Sequence, residues 1–176
     1  MKKNRHKLII LLFIAAHVIF FVMTLIQPSI VEGVSLKMFD LMMFKGYDLA
    51  YATTFINEIS NRGRNIYLFV QIPLDFLYPL LLSIFFSLFF YEQTKSRDLA
   101  FLGFATMIFD YMENIFIILI LTSTNLSSNI VGIASKATIT KGIFYALNYG
   151  ITVFLLIRCR YKKGCPIKNR LKTKDK

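Results

Sequence analysis

Four ionisable side chains interrupt hydrophobic segments that are otherwise long enough to cross a bilayer. They are Asp75, Asp110, Glu113 and Lys141. An ionisable group at the bilayer centre costs about 2.5–3.5 kcal/mol on insertion scales, so it normally faces a partner or a water-filled cavity. The four residues therefore predict a polar site inside a helical membrane protein.

The third hydrophobic segment carries the densest polar group. Asp110, Glu113 and Asn114 are spaced three and four residues apart, which places them on one helix face. Two carboxylates one turn apart repel each other unless a proton or a cation lies between them. Because burial and a like charge favour acid–base chemistry, we predict Asp110 and Glu113 as catalytic residues.

Two prolines interrupt the second hydrophobic segment, and Pro79 follows Asp75 by four residues. A proline inside a helix removes the N–H that would bond the carbonyl four residues back, here that of Asp75. In a membrane helix a neighbour or water must satisfy such a carbonyl. We therefore predict a hydrated pocket beside Asp75, and a simple packing kink is the alternative.

The fourth segment shows a polar stripe at helical spacing, and we expect it to face inward beside the carboxylates. The stripe consists of Lys141, Tyr145, Asn148 and Thr152. The full set of predicted ligand-binding residues is Asp75, Tyr78, Asn114, Lys141, Tyr145, Arg64 and His17.

Two members of this set have competing interpretations. Arg64 opens the second segment, where its guanidinium either binds a phosphate or anchors to head groups by snorkelling. His17 lies near the middle of the first segment, where a lone histidine more often makes a packing hydrogen bond than a catalytic one.

The elements that carry these residues are read from hydrophobicity. The chain has 176 residues, 56% of them hydrophobic, and a spanning helix needs roughly 17–25 apolar residues. We predict a single polytopic membrane domain over 1–176, an all-α integral membrane four-helix bundle. The predicted spans are residues 8–27, 66–91, 99–122 and 138–158.

The first outer loop is predicted to contain a short amphipathic helix. Asp48 is a suitable N-cap, apolar residues then recur at helical spacing as far as Ile59, and Gly63 can close the helix. Pro28 is expected to end the first span. The short helix would lie on the outer leaflet or cover the mouth of the bundle.

Basic residues predict the orientation. The net charge is +11, and most Lys and Arg residues lie in the N-terminal tail, the 92–98 connection and the tail 159–176. The positive-inside rule makes that side cytoplasmic, with loops 28–65 and 123–138 outside. We predict a multi-pass protein of the plasma (bacterial cytoplasmic) membrane with both termini in the cytoplasm.

The predicted partners are the lipid bilayer, anionic lipid head groups at the basic tail, and a possible second copy or membrane partner. We predict no nucleic acid partner, because the tail is short and lacks interleaved aromatic residues.

Depth along the predicted spans brings the polar residues to one layer. At about 1.5 Å per residue, Asp75 and Glu113 lie roughly 12–13 Å below the outer ends of their helices, and Lys141 about 6 Å. We therefore expect the site in the outer half of the bilayer.

No cofactor is evident, and no metal is predicted. If a metal binds, the hard oxygen ligands of Asp75, Asp110 and Glu113 suit Mg²⁺, Ca²⁺ or Mn²⁺ better than zinc.

Several short motifs occur in a recognisable order: Gly63-Arg64-x-x-Tyr67, Asp75-x-x-Tyr78-Pro79, Asp110-x-x-Glu113-Asn114 and then Lys141. In this order they resemble a widespread, uncharacterised group of small bacterial membrane proteins with four predicted spans. The resemblance covers roughly residues 48–157. It implies the same architecture and the same polar residues, and it implies no activity.

Three functions fit these features. The first is a membrane protein whose outward-facing intramembrane polar site binds or processes a lipid or small amphiphile. The second is a proton- or ion-coupled transporter subunit, since carboxylates and broken helices at membrane depth are common in carriers. The third is a structural or partner-docking protein, in which a buried ion pair only specifies helix packing.

Overall fold

Five α-helices and one 3₁₀ turn make up the computed structural model, which describes the backbone of residues 2–161 and the side chains of residues 5–159. The helices are α1 (Lys2–Ile30), α2 (Leu49–Glu58), α3 (Asn61–Thr94), α4 (Arg97–Thr122) and α5 (Ser128–Tyr161), and the 3₁₀ turn is Phe39–Met42. Within the described residues no strand occurs, so the all-α prediction is confirmed.

Four helices in the described part of the chain, α1, α3, α4 and α5, are long and apolar enough to cross a membrane. Helix α4 packs along α3 and α5, while α1 packs along α3 and has little backbone contact with α5. The start of α1, the α3–α4 connection and the end of α5 share one side of the bundle, called here the terminal side. The opposite side is called the loop side.

All four long helices begin earlier than the hydrophobicity indicates, and α1 starts at Lys2 instead of residue 8. Helix α3 starts at Asn61 instead of residue 66, α4 at Arg97 instead of 99, and α5 at Ser128 instead of 138. The largest difference is in α5, whose first turns are polar in sequence yet bury Val131 and Ala134 against the loop-side core. Tertiary packing, which hydropathy does not register, therefore adds almost three turns to α5.

Pro28 does not end α1, contrary to the prediction, because the helix continues to Ile30. A proline in the last turn removes only one intrahelical hydrogen bond. The side chain of Ile30 is fully buried in the loop-side core, and that burial favours the helical end.

The predicted amphipathic helix is present as α2, with the Asp48 carboxylate accepting a hydrogen bond from the Tyr51 N–H at 2.8 Å. Gly63 does not close it. Helix α2 ends at Glu58, and the Ser60 hydroxyl caps α3 by accepting from the Gly63 N–H at 3.0 Å. Gly63 instead lies against the carbonyl oxygen of Ile30, where a side chain would collide.

Residues 31–48, called here the cap, fold over the loop side of the bundle. Met38, Phe39 and Tyr47 are buried with Ile30 and Phe55 in one apolar cluster. The cap is also held by polar contacts. The Tyr47 N–H donates to Ser135 Oγ at 2.9 Å, and the Tyr67 hydroxyl donates to Asp40 Oδ1 at 3.1 Å. The long helices are thus closed at one end by a folded segment.

Candidate functional site

The centre of the bundle holds a buried ion cluster formed by α4 and α5. The Lys141 ammonium group contacts Glu113 Oε2 and lies 3.5 Å from Asp110 Oδ1. The side chains of all three residues are almost completely buried. The predicted contact of the α5 stripe with the α4 carboxylates is therefore present.

Hydroxyl groups on α5 complete the carboxylate shell. The Tyr145 hydroxyl donates to Asp110 Oδ2 at 2.7 Å, and the Thr138 hydroxyl donates to Glu113 Oε1 at 2.5 Å. Thr138 lies one turn before Lys141 on the same helix face. Sequence reasoning missed Thr138, although the stripe that begins at Lys141 would have found it if extended by one turn.

Asp75 brings a third carboxylate to the cluster from α3. One carboxylate oxygen of Asp75, one of Asp110 and one of Glu113 lie within 4.8 Å of one another. Asp75 is buried, yet among the side chains of residues 5–159 its carboxylate has no hydrogen-bond or ion-pair partner. The site therefore contains one acidic group that the described residues leave unpaired.

The carbonyl that Pro79 frees is satisfied by a side chain. Asn114 Nδ2 donates to the Asp75 carbonyl oxygen at 3.0 Å and lies 3.5 Å from Asp110 Oδ1. The expectation of a neighbour for this carbonyl is thus met by an amide, while the hydrated pocket beside Asp75 stays a prediction. Within the described residues the other amide atom, Asn114 Oδ1, is buried without a hydrogen-bond partner.

The helix above Asp75 is wound irregularly. Residues Tyr67–Gln71 form a π-helical turn directly before Ile72 and Pro73. Such turns occur mostly as single bulges and often at functional sites. Here the bulge lies next to a proline that cannot donate to the helix, and it comes one turn before the unpaired carboxylate.

The loop side of the cluster is closed by the cap. The Tyr47 hydroxyl lies 3.5 Å from Thr138 Oγ1, which itself bonds Glu113. Burial raises the pKa of the Tyr47 phenol well above its usual range, so this group is neutral at physiological pH. No sequence pattern pointed to Tyr47, because its position depends on how the cap folds back onto α5.

A row of aromatic rings connects the cluster to the lipid-facing surface. The ring centroids of Phe20 on α1 and Tyr78 on α3 are 5.6 Å apart, and Tyr78 stacks on Tyr145 at 6.0 Å. Phe20 is 52% exposed, whereas Tyr78 is 8% exposed. This aromatic row, Phe20–Tyr78–Tyr145, runs from the bilayer to the Asp110 carboxylate.

His17 joins the edge of the aromatic row and not the ion cluster. Its Nδ1 lies 2.8 Å from the Phe13 carbonyl oxygen and its Nε2 lies 3.3 Å from the Tyr149 hydroxyl. The Tyr149 hydroxyl in turn lies close enough to the Tyr78 hydroxyl to interact with it electrostatically. Tyr149 thus lies between His17 and Tyr78, and within the described residues His17 contacts no carboxylate.

Arg64 lies apart from the cluster in the first turns of α3. Its guanidinium donates to the Ile56 carbonyl oxygen at 3.1 Å, at the end of α2. This contact satisfies an unpaired carbonyl of a helix terminus. The structure therefore engages Arg64 with the end of α2 and not with the ion cluster.

The polar layer extends below the carboxylates toward the terminal side. Asn148 Nδ2 donates to Thr106 Oγ1 at 2.6 Å, and the Thr152 hydroxyl donates to the Asn148 carbonyl at 2.8 Å. The predicted inward stripe is thus confirmed over its whole length. Below it the core is apolar and contains Phe86, Phe90 and Leu155.

The Lys141 ammonium group occupies the position that a metal ion would take between the carboxylates. The three carboxylates satisfy the ligand count, but the Lys141 ammonium group already contacts two of them where a cation would lie. We propose no metal at this site.

No protein-family model, no curated protein and no solved structure matches this chain. The resemblance to the bacterial four-span group therefore stays a prediction. The chain's own geometry is that of a helical protein with four candidate membrane-spanning helices and a buried, acid-rich site.

Proposed function

We propose that the chain is a membrane binding protein whose buried polar site receives the head group of a small amphiphile from the bilayer. The observation that carries the proposal is the aromatic row, which joins lipid-exposed Phe20 to Asp110 through Tyr78 and Tyr145. A head group that follows this row would leave its apolar tail among the exposed side chains of α1 and α5.

Lateral access fits the packing of the helices. Helix α1 lies along α3 and has little backbone contact with α5, so the face of α3 that carries Tyr78 is covered mainly by side chains. The cap closes the loop side, and the Phe86–Phe90 region closes the terminal side. Of these three directions, we propose the seam between α1 and α5 as the entry, because the two helices make little backbone contact there.

The charge of the site supports binding over pure packing. Three carboxylates surround one ammonium group, while an ion pair that only specified register would need one of each. Unpaired buried charge is costly in a membrane, and such residues are commonly functional. In the proposed site Asp110 and Glu113 are the two groups that exchange a proton with a bound head group.

We place the protein in the cytoplasmic membrane of a bacterium, with both termini inside. The resemblance to the four-span group supports the location, and the basic terminal segments support the orientation. Alkaline phosphatase fused after Thr124 should be active and the same enzyme fused after Tyr161 inactive. The reverse pattern would contradict the orientation.

Native mass spectrometry of the protein released from nanodiscs of host membrane lipid tests the binding proposal. The parent should retain one small amphiphile per chain, and Asp110→Asn should lose it. Asp98→Asn, which alters an exposed carboxylate at the start of α4, is the matched control and should retain it. A parent that retains nothing beyond bulk lipid, or an Asp110→Asn variant that retains as much, contradicts the proposal.

A further inference from the structure

The ion cluster has an excess of negative groups that its own residues do not balance. Asp75, Asp110 and Glu113 supply three carboxylates, and Lys141 supplies one ammonium group. Lys141 contacts Asp110 and Glu113, so within residues 5–159 the third carboxylate, that of Asp75, has no cation in contact. Since a low dielectric strengthens every unscreened charge, this position favours a positive ligand and opposes a negative one.

Two acceptor groups at this position lack a hydrogen-bond donor among the described residues, the Asp75 carboxylate and the Asn114 amide oxygen. Within residues 5–159 the Asp75 carboxylate has no hydrogen-bond donor, although the residue is buried and the carboxylate lies beside the other two. Asn114 Oδ1 is buried and unpaired, and the same amide is anchored through Nδ2 to the Asp75 carbonyl. Buried acceptors normally find donors, so the position suits a group that brings N–H donors and no acceptors.

The aromatic row, which is the proposed access route, also favours a cation over an anion. Tyr78 follows Asp75 by three residues on α3, and its ring lies between those of Phe20 and Tyr145. Aromatic faces attract cations within about 6 Å of the ring centre, most strongly where water is absent. A cation therefore meets favourable surfaces from the lipid edge to the carboxylate, whereas a carboxylate or phosphate does not.

We infer that the ligand of this site is a protonated amine that carries an apolar chain, with its ammonium group donating to the Asp75 carboxylate and its chain leaving between α1 and α5. The inference deepens the proposed function and rests on it. It replaces the phosphate-binding role considered for Arg64, because Arg64 bonds Ile56 and two carboxylates already engage Lys141, the buried cation that an anion would need.

Equilibrium binding of three probes with the same chain tests the ligand class. Radiolabelled dodecylamine, dodecanol and dodecanoic acid are titrated into the protein in phosphatidylcholine nanodiscs, and binding to empty nanodiscs is subtracted. Dodecylamine should saturate at one per chain and bind about tenfold or more tighter than dodecanol, since one buried charge-assisted contact is of that order. Asp75→Asn should remove this preference, and Asp98→Asn should keep it.

A second pair of variants avoids the ion cluster, so it does not depend on Asp75→Asn folding. Phe20→Ala removes the lipid-side ring of the aromatic row and should weaken dodecylamine binding several-fold. Phe21→Ala removes a neighbouring ring that is 62% exposed and makes no ring contact within the described residues, so it should have no effect. Equal effects of the two variants contradict the proposed route.

The outcomes separate the two proposals. Saturable binding of dodecanol or dodecanoic acid equal to that of dodecylamine overturns the amine inference and leaves the amphiphile site standing. Absence of saturable binding for all three probes overturns the amine inference and also counts against the proposed function. A preference for dodecylamine that survives Asp75→Asn refutes the assignment of the ammonium group to Asp75.

Discussion

Lys141 is the only cation among the described residues that contacts the buried carboxylates, so much of the site's stability depends on it. Removing one partner of a buried ion pair leaves an uncompensated charge and typically costs about 3–5 kcal/mol. We expect Lys141→Met to lower the free energy of unfolding by an amount in that range, measured by denaturation in mixed micelles. Lys136→Met, on an exposed lysine of the same helix, is the control and should change it little.

A compensating change identifies the cause of that loss. In the Lys141→Met background, Glu113→Gln removes one of the two stranded charges and should recover part of the stability. If the double variant is less stable than Lys141→Met alone, the loss reflects packing of the lysine stem and not the charge.

Asn114 and Pro79 act on the same carbonyl oxygen, that of Asp75. Pro79 removes the backbone donor, and the Asn114 amide replaces it at 3.0 Å. A typical hydrogen bond contributes about 0.5–1.5 kcal/mol. We expect Asn114→Leu to be costly with Pro79 present and less costly in the Pro79→Ala background, where the restored backbone N–H at position 79 bonds the carbonyl.

A double-mutant cycle on the free energy of unfolding measures this coupling. Its expected magnitude is about 0.5–1.5 kcal/mol, with the two changes partly compensating. Strictly additive effects would mean that the Asn114 amide does not replace the missing helix bond.

At the scale of elements, the junction of α1 with α3 depends on a glycine. A Cβ atom at Gly63 would collide with the backbone carbonyl of Ile30, a rigid neighbour, whereas a Cβ at Gly150 on α5 would meet nothing within 4 Å. We expect Gly63→Ala to lower the free energy of unfolding by about 1–3 kcal/mol. Gly150→Ala should leave it unchanged or raise it by up to about 1 kcal/mol through helix propensity. Equal effects at both positions would show that the two helices do not approach as closely as described.

The cap carries an acid-sensitive contact at its start. The Ser35 N–H and hydroxyl donate to the Glu58 carboxylate at 2.7–3.0 Å, and these hydrogen bonds lower the pKa of Glu58. A carboxyl whose pKa is lower in the folded state stabilises it above the unfolded pKa of about 4.3. That contribution is lost as the pH falls through the folded pKa.

Hydrogen-exchange protection of the cap amides, corrected for the intrinsic rate, measures this effect. Protection in residues 35–43 should fall between about pH 5 and pH 3 in the parent. In Glu58→Gln it should not depend on pH over that range. A parallel fall in both proteins would assign the pH dependence to another group.

The sequence predicted those parts of the site that follow from spacing along one helix. The Lys141–Thr152 stripe, the shared face of Asp110 and Glu113, and the carbonyl freed by Pro79 are all periodicity or backbone arguments, and the structure contains each of them. It could not predict Tyr47 or the early start of α5, because both depend on contacts between residues distant in the chain. Gly63 was assigned to the wrong role for the same reason, since the neighbour that requires it is Ile30, 33 positions away in sequence.

At the scale of the whole molecule, the charges inside the bundle oppose its stability, while the apolar cap and the Phe-rich terminal-side core support it. Asp75 shows this conflict most clearly, because it is buried without a partner in the described residues. Proteins retain such unfavourable groups where function requires them, and replacing them commonly gains stability. If Asp75 had only a packing role, its carboxylate would stabilise the fold, and replacing it would lower the stability.

The free energy of unfolding of Asp75→Asn, compared with the parent in the same mixed micelles, tests the central claim most directly. The change is nearly isosteric, keeps an acceptor and removes the charge. We predict that the variant is as stable as the parent or more stable by up to about 2 kcal/mol. A loss of more than about 1 kcal/mol would show that the carboxylate stabilises the fold and would contradict its assignment to a ligand.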